Sequence, residues 1–331
     1  MHPSDPPSPE SLLAVTTWRS RAITPSEVYS AEFRAWAHAN RAHLYLVLVG
    51  AKSTIVSIRA QHEGWRLHLR YFDGQKAKDH NLRVPFELLP RGATLVDGVL
   101  HWTNDTGTTA HANAAQISRT VLSTLREKGA RFGREHVLLL ERLFTYEVRY
   151  IGKSYGSAGE RTAVERIEAG HKQVQQILAE TMDLNPSSAV ALIAMDTRVQ
   201  GREAMFSLTG DNVAEVSAFM SQFLSAPDGP LTDEKRLIEA TEALLIRSFP
   251  DAVNQQYKSF PQSEARSLRE ELAKSGVTHL GVHLDVSESV ALLRNPDAMK
   301  RPSAKLRFAV NLATGAPETP QTTSPLAWSL A

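Results

Sequence analysis

The sequence predicts an α/β (α+β) protein, in which a mostly-β amino-terminal domain precedes a small mixed sheet flanked by helices. Short apolar runs separated by Gly-containing turns fill the first part of the chain, as is typical of strands. From His136 onward, strand-like runs alternate with segments whose apolar residues recur at helical spacing. With 331 residues and 42% hydrophobic content, the chain can bury one large core or two ordinary ones.

The amino-terminal elements follow from apolar spacing and turn residues. A short helix is predicted at 27–42, and it leads into an apolar strand at 43–49. Further strands, separated by turns such as Asp97-Gly98, are predicted at 54–59, 65–72 and 93–102. A helix at 112–128 closes this part of the chain.

The second half alternates strands and helices. Strands are predicted at 137–140, 146–151, 189–195, 204–208, 280–286 and 306–312. Helices are predicted at 161–169, around Val174 and Ile177, from Asn212, and at 233–249. We expect Thr232 to cap the helix at 233–249 and Pro250 to end it.

These elements predict five segments along the chain. Residues 11–132 form a domain for recognition or for a protein partner, residues 136–262 a second domain, and residues 263–314 strands that complete one of the sheets. The Pro-rich and Ser-rich ends, 1–10 and 315–331, are predicted to be disordered.

Composition excludes several classes of function. The chain has no cysteine, which rules out disulfides, thiolate nucleophiles and Cys-ligated zinc. We expect a cytoplasmic protein without a membrane segment, because no apolar run is long enough to cross a bilayer and the first residues lack a signal-peptide pattern. The net charge of +1 gives no overall attraction for nucleic acid. Nucleic-acid binding would therefore need a local basic patch.

A phenol, a guanidinium, a carboxylate and an amide follow one another along the second half of the chain. Tyr150-Ile151-Gly152-Lys153-Ser154 ends a strand, and Arg166 lies in the following helix. Much later, Glu242 and Ile246 share a helix that precedes Pro250 and Asn254. This arrangement resembles the GIY-YIG nuclease family, whose core carries Y-[IV]-G-x-[SA], a helical Arg, and an E-x-x-x-I helix followed by Pro and Asn. The resemblance covers about residues 136–262.

The resemblance implies a metal-dependent DNA endonuclease, acting in restriction, antiphage defence or repair. Glu242 would hold Mg²⁺ (or Mn²⁺), since a hard carboxylate suits an ion that keeps most of its water. Arg166 would bind the scissile phosphate, and Tyr150 would orient or activate the attacking water through a lowered pKa. The simpler alternatives are an exposed helical glutamate, an exposed helical arginine and a packing tyrosine.

Supporting roles fall to residues near this set. Lys153 and Arg161 would contact substrate phosphates, while Asn254 would occupy the position of the family's structural amide next to the substrate. His171 would support proton transfer, although Gly170 places it one residue beyond a single helical turn from Arg166. A homodimer is the simplest way for such a nuclease to cut both DNA strands.

The family's first tyrosine is not evident in the sequence. The preceding predicted strand offers only Val137-Leu138-Leu139. Tyr146, an even number of residues before Tyr150 on the same strand, or Tyr155 beyond the turn could replace it. The alternative function is a catalytically degenerate GIY-YIG-like module that binds nucleic acid or a protein, and an unrelated α/β protein remains a third interpretation.

Overall fold

The computed structural model describes residues 10–73, 76–104, 107–128, 134–156, 159, 161–185, 187–205, 233–262, 266–274, 277–296 and 301–318. Over these residues the protein is a mixed α/β fold with fourteen strands and seven α-helices. The strands are β1 Glu10–Ile23, β2 Leu44–Ala51, β3 Ser53–Ala60, β4 Gly64–Asp73, β5 Lys76–Pro85, β6 Thr94–Val96, β7 Val99–Thr103, β8 Thr109–Ala112, β9 Thr145–Lys153, β10 Ser188–Met205, β11 His279–Asp285, β12 Leu292–Leu293, β13 Lys305–Asn311 and β14 Pro317–Glu318. The helices are α1 Ala31–Ala39, α2 Ala114–Glu127, α3 Arg134–Leu143, α4 Ala163–Glu168, α5 Lys172–Leu184, α6 Glu234–Ser248 and α7 Arg266–Lys274.

One eight-stranded mixed sheet organises the molecule, in the order β12-β9-β2-β10-β1-β11-β13-β14. The β1–β11 and β12–β9 pairs are parallel and the other pairs are antiparallel. Strands from the amino-terminal part, β1 and β2, lie beside strands from the middle and end of the chain. The predicted boundary near residues 132–136 therefore does not divide this sheet.

The segment between β2 and β9 forms an insertion with two small antiparallel sheets, β3-β4-β5 and β6-β7-β8, and the helices α2 and α3. The predicted strands at 54–59 and 65–72 are confirmed as β3 and β4. The predicted strand at 93–102 is instead a hairpin, β6 and β7. Asp97 and Gly98 both have positive φ at its turn, which is the conformation that tight hairpins prefer.

Three other sequence predictions are wrong. Residues 137–140, predicted as a strand, belong to α3, in which the buried Leu139 and Leu143 lie four residues apart on one helical face. Part of the predicted disordered tail, Pro317–Glu318, forms β14 against β13. The predicted strand at 189–195 and the first two residues of the predicted strand at 204–208 belong to one long strand, β10, and residues 206–208 lie outside the described part of the chain. The helix expected from Asn212 lies outside the described residues.

A β-bulge in β9 changes which face of the main sheet the following side chains point to. Val47 pairs with Tyr150 and Leu48 pairs with Val148, so Arg149 is the extra residue. Tyr150 consequently faces the core that contains α1, α4 and α5, whereas Tyr146 faces the core that contains α6. The even spacing of Tyr146 and Tyr150 therefore does not place them on one face.

Helix α6 is buried along most of its length and packs near β9, β10, β11 and β13. Its first turn is charged, and the buried stretch runs from Leu237 to Ile246 with a break at Glu239, so this part of the helix lies inside the domain. Asp233, rather than the predicted Thr232, caps it by accepting hydrogen bonds from the N–H groups of Lys235 and Arg236. Over the described residues, the helices are too short or too polar to cross a membrane.

The Asp233 cap gives a test of the α6 assignment. Asp233→Ala removes the acceptor for two helix N–H groups, and we expect it to lower the free energy of unfolding by about 1 kcal/mol. Asp233→Ser keeps a capping oxygen and should retain most of the stability. Urea denaturation measures both variants, and an equal loss in the two would contradict the capping role.

Candidate active site

A cleft of about 270 Å³ lies beside the carboxy-terminal half of β9. Helices α4 and α5 contribute to one side and α6 to the other. It is lined by Tyr150, Lys153, Arg166, Gln173, Glu242, Ile246, Asn254, Gln255, Gln256 and Tyr257. The structure thus brings the predicted phenol, guanidinium, carboxylate and amide together from three distant segments of the chain.

The pairing of β2 with β9 brings a further tyrosine to this end of the strand. Tyr45 pairs with Gly152, directly after Tyr150-Ile151. A Cβ atom on Gly152 would lie 2.4 Å from the Tyr45 ring and hydroxyl and 2.8 Å from the Tyr150 ring. Only glycine at position 152 leaves room for both rings at this distance.

Tyr45 is the residue that sequence reasoning missed. Its side chain is fully buried, and its ring centroid lies 6.1 Å from that of Tyr150 and 6.2 Å from that of His171. Burial, helped by the neighbouring Tyr150, raises the pKa of Tyr45 far above its usual value. In the sequence Tyr45 is only a lone tyrosine in an apolar strand. Its partner strand, β9, comes after the whole insertion, so the sequence does not show that the two strands pair.

The expected lowered pKa of Tyr150 is wrong for the protein without a metal. Burial raises the pKa of the Tyr150 phenol, and Arg166 only partly offsets this effect. Tyr150 is therefore a neutral hydroxyl at pH 7, able to donate one hydrogen bond and accept others.

Arg166 and His171 are held together at the cleft. One Arg166 nitrogen donates to the Lys153 carbonyl oxygen, and another lies 3.1 Å from Nε2 of His171. The His171 ring centroid lies 5.4 Å from that of Tyr150. Burial and the positive charges of Arg166 and Arg161 lower the pKa of His171, which is consequently neutral at pH 7. Its Nε2 can then accept from Arg166.

The other predicted residues lie elsewhere. Arg161 precedes α4, is exposed and does not line the cleft, so its predicted phosphate contact finds no support in this geometry. Tyr146 is buried on the opposite face of β9 with its hydroxyl 3.5 Å from Arg119. Tyr155 donates to Glu234 instead of entering the cleft. Neither tyrosine can replace the one missing from the sequence pattern.

Lys153 and Glu242 form an ion pair inside the cleft. The Nζ atom lies 2.8 Å from Oε2 of Glu242 and 3.6 Å from Oε1 of Glu239. Glu242 is only 7% exposed, and this burial raises the pKa of its carboxyl group despite the opposing effect of Lys153. Burial alone would lower the pKa of Lys153, but the Glu242 charge outweighs it and the pKa is raised.

Asn254 supports strand β9 with its side-chain amide. Its Nδ2 donates to the Ile151 carbonyl oxygen at 2.7 Å, and its Oδ1 accepts from the Ile151 N–H at 3.0 Å. Strand β12 pairs only with Thr145 and Tyr146 at the other end of β9. Asn254 therefore replaces a neighbouring strand, which fits the structural amide of the family pattern, and its substrate-binding role stays a prediction.

The chemistry of Glu242 fits a hydrated divalent ion. Among the described residues no cluster of three or more His, Asp or Glu side chains could enclose a metal. Mg²⁺ often binds through one or two carboxylates and keeps several waters. A buried carboxylate whose only close partner is a lysine ammonium, in a cleft with space for water, suits that mode.

Comparisons with known proteins leave the family open. No protein-family model matches the chain, and none of the curated proteins has a significant match to it.

The buried ion pair predicts a pH-dependent effect on stability. Lys153→Met keeps the apolar stem but removes the ammonium, so the pKa of Glu242, already raised, should rise further. A carboxyl group with a raised folded-state pKa destabilises the fold above its unfolded pKa near 4.5, and this effect disappears below it. We expect a loss of about 1–3 kcal/mol at pH 8 that shrinks towards pH 4, measured by urea denaturation.

The double variant Lys153→Met/Glu242→Gln serves as the control. It removes both charges, and its stability relative to the unsubstituted protein should depend little on pH. A loss in Lys153→Met that is the same at both pH values would contradict the ion-pair explanation.

Proposed function

We propose that this protein is a Mg²⁺- or Mn²⁺-dependent DNA endonuclease related to the GIY-YIG nucleases. The observation that carries the proposal is the convergence of Tyr150, Arg166 and Glu242 on one cleft. The position of Tyr45, on the strand paired with Tyr150-Ile151-Gly152, adds support because the family's first tyrosine is expected on a neighbouring strand.

Each side chain has a role that its geometry favours. Arg166 presents its remaining N–H donors to the nonbridging oxygens of the phosphate, and the Lys153 carbonyl oxygen holds its orientation. The hydroxyl of Tyr150, which lines the cleft, orients the attacking water, and the buried Tyr45 packs beside it. His171, neutral at pH 7, takes the proton of that water once Arg166 binds the phosphate and releases Nε2.

Glu242 is the residue that would hold the metal. The bound ion would supply Lewis-acid stabilisation of the charge that develops on the phosphate oxygens. Lys153 lines the same cleft and would supply a second positive charge to the phosphate oxygens.

One observation favours the alternative of a catalytically degenerate module. The only cleft carboxylate that is nearly fully buried is already neutralised by Lys153 at 2.8 Å. In a degenerate module this ion pair would be permanent, and the cleft would bind a phosphate without cutting the chain that carries it. Metal-dependent cleavage separates the two functions.

Cleavage should depend on both Glu242 and Arg166. Incubation of the protein with plasmid DNA and Mg²⁺ or Mn²⁺ is expected to give nicked or linear product, and none with EDTA. Glu242→Gln and Arg166→Ala should each lower the cleavage rate by about 100-fold or more, because each removes charge stabilisation in the transition state. Cutting that persists in both folded variants excludes this cleft, and no cutting by the unsubstituted protein favours the binding module.

A matched pair of tyrosine variants tests the role of Tyr45. Tyr45→Phe removes only a buried hydroxyl beside the cleft residue Tyr150 and should lower the cleavage rate by about 10- to 100-fold. Tyr146→Phe makes the same change on the opposite face of the sheet and should leave the rate close to normal. Equal rates for the two variants would remove Tyr45 from the site.

A further inference from the structure

The insertion carries a row of arginines across one of its small sheets. Arg59 on β3 pairs with Arg66 on β4, and Arg66 pairs with Arg83 on β5. Directly opposite residues in antiparallel strands have Cβ atoms about 5 Å apart and point to the same face. The three side chains therefore stand side by side.

This row lies on the solvent side of the sheet. The alternate residues of β4, Trp65, Leu67, Leu69 and Tyr71, are buried in the core. Arg59, Arg66 and Arg83 are exposed. Across the described part of the chain, none of the three guanidinium groups has an ion-pair or hydrogen-bond partner.

Such a row costs stability. Like charges directly opposite each other in a sheet are destabilising, and among the residues that the structure describes no acidic side chain pairs with this row. Asp79, on the same face, instead pairs with Arg70 at 3.0 Å and with His68 at 3.5 Å. The row is therefore better explained by an external anion than by folding.

The composition of the face indicates which anion fits. The next two rows are Ser57, His68 and Asn81, and Thr54, Arg70 and Asp79. These three rows contain no Phe, Tyr or Trp, the side chains on which sheet proteins stack single-stranded bases. The arginines span about 10 Å, which matches several phosphates of a duplex backbone.

We propose that the solvent face of β3-β4-β5, centred on Arg59, Arg66 and Arg83, binds the phosphate backbone of duplex DNA. This inference rests on the proposed nuclease function and names a second contact surface for the same substrate. The row belongs to the insertion, whereas the cleft is lined by residues of β9, α4, α5, α6 and the segment after α6, so the two surfaces use different elements. The surface holds the duplex while the cleft acts on it.

The test is a binding measurement that needs no cleavage. A fluorescein-labelled DNA duplex of about two helical turns is titrated with protein in EDTA, over a series of salt concentrations, and followed by fluorescence anisotropy. The triple variant Arg59→Gln/Arg66→Gln/Arg83→Gln should bind at least about 10-fold more weakly. The slope of log affinity against log salt should fall in magnitude by about 2–3, because each lost phosphate contact removes nearly one unit.

A second triple variant controls for net charge. Lys274→Gln/Arg301→Gln/Lys305→Gln removes the same charge from exposed residues in the carboxy-terminal part, and it should keep normal affinity and slope. Thermal unfolding of the arginine variant should occur at the same or a higher temperature, since repulsion is relieved.

The outcomes distinguish this surface from the proposed nuclease. Binding through the row by a protein that never cuts DNA supports the surface and removes the nuclease function. If the protein cuts DNA but the arginine variant binds the duplex as tightly as the unsubstituted protein does, the nuclease function is supported and the surface is removed. Absence of duplex binding, an equal loss in the control variant, or binding through the row to single-stranded RNA or an acidic peptide only would overturn the proposal.

Discussion

The antiparallel pairing of β2 with β9 is the constraint on which the cleft depends. It puts Tyr45 opposite Gly152, where the missing side chain leaves space for two aromatic rings. The β9 bulge then turns Tyr150 to the same face as Tyr45 and leaves Val148 and Tyr146 on the other. If the strands paired one residue out of register, the phenols would lie on opposite faces of the sheet.

The carboxylate of Glu242 on helix α6 costs free energy because it is buried. Burying Glu242 next to the apolar residues at 243–246 of α6 is unfavourable unless a cation accompanies it. Lys153 supplies that cation from the end of β9, so the ion pair also fixes the helix against the strand. An apolar pair of similar size could hold the helix against the strand equally well. Removal of only one of the two charges leaves the other one buried without a partner.

Local patterns were sufficient to predict the elements that carry Tyr150, Arg166 and Glu242. The strand ending at Gly152, the helix with Arg166 and the helix stopped before Pro250 all follow from apolar spacing and stop signals, and β9, α4 and α6 confirm them. Tyr45 could not be found in this way, because its pairing with Gly152 crosses the whole insertion. The opposite orientations of Tyr146 and Tyr150 could not be predicted either, because no residue pattern in the sequence indicates the bulge between them.

The net charge of the whole chain does not describe the local charge of the insertion. A net charge of +1 describes the whole chain, but a duplex responds to charges within about one Debye length, roughly 8–10 Å. Most charges near the cleft are already paired, including Lys153 with Glu242 and Arg149 with Glu147. Arg59, Arg66 and Arg83 have no such neutralising partner among the described residues. These unpaired positive charges thus lie on the insertion, whereas the buried carboxylate that would hold a metal lies on α6.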